Sequence, residues 1–127
     1  MARREYIATP QAPAAIGPYS QAVLVDNTLY CSGQIAIDPV TGQMMHGSIE
    51  EETERVLENL GAVLKAAGMD FRDVVRCTVY LVDMEDYAQM NEVYARYFSE
   101  DPPSREAVEV ASLPRGARVE ISCIAVR

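Results

Sequence analysis

Apolar residues recur along this chain with two different periods, and the changes between them mark its elements. Behind Ile49, the residues Val56, Leu57, Leu60, Val63, Leu64 and Ala67 repeat at helical spacing. Ser48 and Glu51 form a capping box ahead of that run, and Gly68 stands where a C′ residue belongs. The spacing therefore predicts a helix over about Ile49 to Ala67. A second stripe, Tyr87, Met90, Val93, Tyr94, Tyr97 and Phe98, follows Asp83 as cap and reads as core packing rather than a cofactor box. Elsewhere the period is two. Val74 to Val82 alternates, with Val75, Cys77, Val79 and Leu81 on one face and Arg76, Thr78 and Tyr80 on the other. Gln21 to Val25 and Thr28 to Gly33 flank Asp26-Asn27, a two-residue hairpin loop in which Asn tolerates positive φ. Pro102-Pro103 closes the helical region, and two last strands follow, Arg105 to Val110 and Arg118 to Val126, joined by the turn-rich Ala111 to Ala117.

The predicted order is β-β-α-β-α-β-β, an α+β fold of one domain, residues 1–127, with two helices on one face of a sheet. Helices on one side leave the other side bare. That bare face would carry Arg76, Thr78, Tyr80, Glu120 and Ser122 interleaved with Ile124 and Val126. Such a mixture is too apolar for water and too polar for a sealed core. Burying it against copies of itself resolves the conflict, so a closed homo-oligomer with polar clefts between subunits is expected.

Charge narrows the choice of partner. The chain holds 11 Lys and Arg against 19 Asp and Glu, a net charge of −8, which disfavours nucleic acid because phosphate binding needs clustered cations. No apolar run approaches the roughly 20 residues of a membrane span. Arg3 and Arg4 have no apolar segment behind them, so no secretory signal is read and the cytosol is the expected compartment. The three cysteines, Cys31, Cys77 and Cys123, lack CxxC spacing and read as small buried hydrophobes. His46 is the only histidine, which excludes a histidine-rich metal site. Structural zinc and catalytic Cys-His chemistry are not expected.

Two charges stand out within the apolar strands at the C-terminal end. Arg105 opens one and Glu120 lies inside the other. Should both point into a shared cleft, the first offers a fork for a carboxylate and the second an acceptor for a water or a proton. Structural alternatives stand beside this reading: an interfacial ion pair of Arg105 with a neighbouring carboxylate, and Glu120 as partner for Arg118 or Arg76.

Several motifs occur in order from about residue 8 to the C-terminus. These are Ala12 through Gln21 around Gly17-Pro18-Tyr19-Ser20, then Ser32-Gly33-Gln34-Ile35, Thr78-Val79-Tyr80-Leu81, Asn91-Glu92-Val93-Tyr94, and Arg105 through Val126. Together they resemble the RidA family, also called YjgF. The resemblance implies a chorismate-mutase-like fold assembled as a homotrimer with ligand clefts between subunits. It implies hydrolysis of reactive 2-imino acids, or enamine tautomers such as 2-aminoacrylate, to 2-oxo acids and ammonia, without cofactor or metal. It implies Arg105 as carboxylate clamp and Glu120 as the residue that orients or activates water. Tyr19 would line the cleft, Ser32 and Gly33 its floor, and Asn91 would stand nearby. The family commonly has Arg-Ser-Cys-Val where this chain has Arg105-Glu106-Ala107-Val108, so a thiol is absent and the backbone of Ala107 is left to hold substrate. Glu106 should project away from Arg105, to the opposite face of the strand. The rival from another class is a non-enzymatic trimer that binds a small carboxylate in a regulatory or chaperone-like role.

Overall fold

The computed structural model describes all 127 residues. Six strands form one sheet in the order β1-β2-β3-β6-β4-β5, with β1 at Arg4–Ile7, β2 at Ala22–Val25, β3 at Thr28–Gln34, β4 at Val74–Leu81, β5 at Ser104–Glu109 and β6 at Val119–Val126. Only β4 and β5 run parallel. The crossover between them carries α2, Tyr87–Tyr97, as parallel pairing requires. The other helix, α1, is Ile49–Ala66.

Helix α1 starts and stops where its sequence dictates. Ser48 accepts from the backbone of Glu51 while the Glu51 side chain accepts from the backbone of Ser48. At the other end Met69 N–H bonds Leu64 O and Gly68 N–H bonds Lys65 O, with Gly68 at φ +74, a Schellman arrangement. The face of α1 bearing Val56, Leu57, Leu60, Val63 and Leu64 is fully buried, in one core with Val79, Leu81, Val119, Ile121 and Ala125 of the sheet. Both helices lie on this side.

Three local features depart from the sequence reading. The strand β1 is an addition: it pairs with β2 from Arg4 opposite Val25 to Ile7 opposite Ala22. In the hairpin, positive φ falls on Asp26 (φ 53) rather than Asn27. In β4 the register against β6 shifts between Val74 and Arg76, so Val74 takes the core position and Val75 is exposed. From Cys77 onward the alternation holds.

The opposite face of the sheet is bare, as expected. Along β6 Val119, Ile121, Cys123 and Ala125 are buried, while Glu120, Ser122 and Ile124 are half-buried and Val126 is exposed. Tyr30 opposite Ile124 is 50% exposed. No helix is long and apolar enough to cross a membrane. Replacing Ser48 with Ala removes half of the capping box and should lower stability by about 1 kcal/mol. In urea unfolding, the midpoint should fall while the m-value stays unchanged.

Candidate active site

Glu120 stands opposite a bulge in the neighbouring strand. Cys31 faces Cys123 and Gln34 faces Ile121, so β3 carries one more residue than β6 between those pairs, at Ser32-Gly33. A methyl group on Gly33 would come within 2.8 Å of the Glu120 carboxyl carbon. Glycine alone leaves room for that side chain to lie across β3. The Ser32 hydroxyl donates to Ser20 O at 2.6 Å, and its N–H to Gln21 O at 3.0 Å, which ties the bulge to the segment carrying Tyr19. Buried Gln21 in turn accepts from Thr9 N–H at 2.7 Å and donates to Pro13 O at 2.8 Å, pinning the proline-rich approach. The result is a cleft of about 330 Å³ lined by Pro13, Ile16, Tyr19, Ser32, Gly33, Ile35, Ile37, Pro114 and Glu120, among others. Burial raises the Glu120 carboxyl above its ordinary value.

Arg105 lies in different surroundings. Its Nη1 donates to Asn91 Oδ1 at 2.8 Å and its Nη2 to the Tyr87 hydroxyl at 2.7 Å. The guanidinium carbon lies 4.7 Å from the centroid of the Tyr94 ring and 5.5 Å from that of Tyr87. Four ion pairs form in the chain, Arg72–Asp70, Arg76–Glu106, Arg96–Glu54 and Arg118–Glu52, and Arg105 belongs to none. Neutral groups hold it, so its charge remains available to an anion. Ala107, two residues along on the same face, is partly buried. Glu106 points the other way and bonds Arg76 at 2.6 Å, as strand alternation requires. The Tyr94 hydroxyl is buried without a hydrogen-bond partner, beside the Cys77 thiol; burial pushes both groups above their usual pKa.

The structure thus divides the candidate residues into two groups. Glu120, Tyr19, Ser32 and Gly33 meet in the cleft on the bare face. Arg105, Asn91 and Ala107 meet on the helix side, where β5 forms the sheet edge. Within one chain the two charges do not share a cleft. The alternative partners of Glu120 are taken within the chain: Arg118 binds Glu52, Arg76 binds Glu106, and Glu120 pairs with neither. The stripe on α2 does more than pack. Tyr87, Asn91 and Tyr94 recur at i, i+4 and i+7, one helix face that seats the guanidinium. An asparagine amid aromatic residues at that spacing was the available signal.

Residues 9–127 match the family described as Endoribonuclease L-PSP. The chain belongs to this family, that of YjgF and RidA. It is 56% identical to a 2-iminobutanoate/2-iminopropanoate deaminase of Mus musculus, over 98% of this chain and 92% of that one. It superposes on RidA from an Antarctic Psychrobacter species with a TM-score of 0.94 at 46% identity, covering 97% of this chain and 99% of that chain. It superposes on E. coli TdcF with bound serine with a TM-score of 0.93 at 39% identity, covering 97% and 98%.

The raised carboxyl of Glu120 makes a signed prediction. A group whose folded pKa exceeds its unfolded value binds its proton more tightly in the folded state, so stability is lost as pH rises through the folded value. Glu120→Gln should therefore melt above wild type at neutral pH. The difference should vanish as pH falls below the ordinary glutamate value of 4.5, which thermal melts across that range would read.

Proposed function

We propose that this protein hydrolyses reactive 2-imino acids and their enamine tautomers, 2-iminobutanoate and 2-iminopropanoate among them, to 2-oxo acids and ammonia. The observation that carries this reading is Glu120, a half-buried carboxylate without an ion-pair partner, laid over Gly33 in a small cleft. The deaminase name of relatives at more than half identity supports it.

In this reading Arg105 receives the substrate carboxylate in a bidentate pair, and Glu120 holds a water against the imine carbon. Glu120 passes a proton from the adding water to the imine nitrogen, giving a tetrahedral carbinolamine. It then passes the carbinol hydroxyl proton to the same nitrogen as the C–N bond breaks, so that ammonia leaves and the carbonyl forms. A carboxyl pKa shifted upward by burial suits a group that both takes and gives a proton. Arg105 and Glu120 lie on opposite faces of one sheet, so each chain supplies half of a site. A homotrimer, with Arg105, Asn91 and Ala107 of one subunit facing Glu120, Tyr19, Ser32 and Gly33 of the next, joins the halves. It also covers the bare face. This reading sets the protein in the cytosol, beside pyridoxal-phosphate enzymes whose intermediates it would clear.

The family description suggests RNA cleavage as a second reading. RNA binding needs clustered cations along the phosphate backbone, yet the cleft's own chain adds no Lys or Arg to the single Arg105 of a neighbour, and the chain carries a charge of −8. Imine hydrolysis needs one acid–base group and one carboxylate clamp, which this chain has.

The test is release of ammonia and 2-oxo acid from imino acids generated in situ. Arg105→Ala should lower kcat/KM by about one and a half to three decades, the 2–4 kcal/mol of a charge-assisted pair. Arg105→Lys should restore little, because an ammonium offers no fork. Glu120→Gln should lower kcat by roughly 10²–10⁴-fold with 2-oxo acid binding intact. Undiminished turnover in either Arg105→Ala or Glu120→Gln would remove that residue from the mechanism. Wild type that binds 2-oxo acids without accelerating imine loss would make the protein a binding module.

A further inference from the structure

One wall of the Glu120 cleft is held from behind by a residue that touches no substrate. Residues 35–37 leave β3 in a tight turn, with Ile37 N–H on Ile35 O at 2.8 Å. Ile35 and Ile37 both line the cleft. With Ala117 they form a small cluster separate from the main core, backed by Met44 and Leu113. Met44 packs against both this cluster and the main core, so the wall's position depends on that contact and on whatever else ties the turn down.

Asn59 supplies the tie. It sits in the middle of α1 with 0% exposure. Its Nδ2 donates to Ile35 O at 3.1 Å and to Ile37 O at 2.9 Å, and its Oδ1 accepts from Arg55 Nε at 3.1 Å. Asparagine is a poor choice for a buried helix interior, where leucine would favour both the helix and the core. What it does there is fix two carbonyls of the turn, and through them the depth of the apolar wall.

We propose that Asn59 is a positioning residue that sets the size of side chain the cleft accepts. The wall at Ile35 and Ile37 packs against the side chain of the 2-imino acid. Its placement by Asn59 admits aliphatic side chains larger than the methyl group of 2-iminopropanoate. This rests on the deaminase reading above, and its test separates the two.

Asn59→Leu keeps roughly the volume and removes both donors. Turnover should be compared for 2-imino-4-methylpentanoate and 2-iminopropanoate. The kcat/KM ratio of the larger to the smaller substrate should fall about tenfold, chiefly through KM, the scale at which pocket shape discriminates aliphatic groups. The smaller substrate should change little. Ile37→Ala widens the cleft and should raise the ratio instead, and in the double variant it should restore part of what Asn59→Leu loses, because both act through one wall. An equal loss for both substrates is the mark of a merely structural residue and would overturn the proposal, as would an unchanged ratio. Should Asn59→Leu fail to fold, Asn59→Ser, which keeps one short donor, carries the same comparison. Calorimetric binding of 4-methyl-2-oxopentanoate and pyruvate reads the same ratio without turnover. Wild type without imine hydrolysis would then count against the deaminase reading alone, whereas an affinity ratio unchanged by the substitution would count against Asn59.

Discussion

Eight residues of β6 serve the core and the candidate site at once, because consecutive side chains of a strand point to opposite faces. Val119, Ile121, Cys123 and Ala125 fill the buried side beneath the helices, while Glu120, Ser122, Ile124 and Val126 are delivered to the bare side. The strand lies between β3 and β4, with apolar partners Leu29, Cys31, Val79 and Leu81 fixing its core register. A one-residue slip would bury Glu120 under α1 and expose four apolar side chains. The core thus fixes the Glu120 carboxylate in place without any ion pair to hold it. Partial burial is what raises its pKa, with no ion pair to offset it.

The same alternation separates the two charges. Arg105 falls on the side that α2 covers, where two tyrosines and an asparagine seat it without neutralising it. Glu120 falls on the side that nothing in the chain covers. In the proposed reading, docking of one copy against the next would cover the bare, half-apolar sheet face and join a site divided between two faces. Helix α1 contributes buried polar residues at positions 52 and 59, seven apart on one face. Glu52 binds Arg118 at the entrance to β6, with Nε at 2.6 Å, and Asn59 holds the turn after β3.

Much of this was legible in the residues. Capping and C-terminal signals bounded α1 to within one residue, since the relevant hydrogen bonds are local. The outward face of β6 and the direction of Glu106 followed from a period of two. What escaped depended on partners distant in sequence. The strand β1 has a single buried side chain, Ile7, and exists because β2 offers an edge. Val75 fell on the wrong face because a bulge against β6 shifts the register, and nothing within β4 announces it. Tyr87 and Tyr94 read as packing because the cation they seat comes from another element. The face taken by Arg105 was likewise unreadable from β5 alone, and that face decides how the site is divided.

The most direct measurement is complementation between two inactive variants. Arg105→Ala and Glu120→Gln, each purified and shown inactive, are unfolded together, refolded as an equal mixture and assayed for imine hydrolysis. In a site shared between neighbouring subunits, one interface in four pairs an intact Arg105 with an intact Glu120, so roughly a quarter of wild-type activity should return. No recovery from a mixture shown to contain mixed oligomers would contradict the divided site.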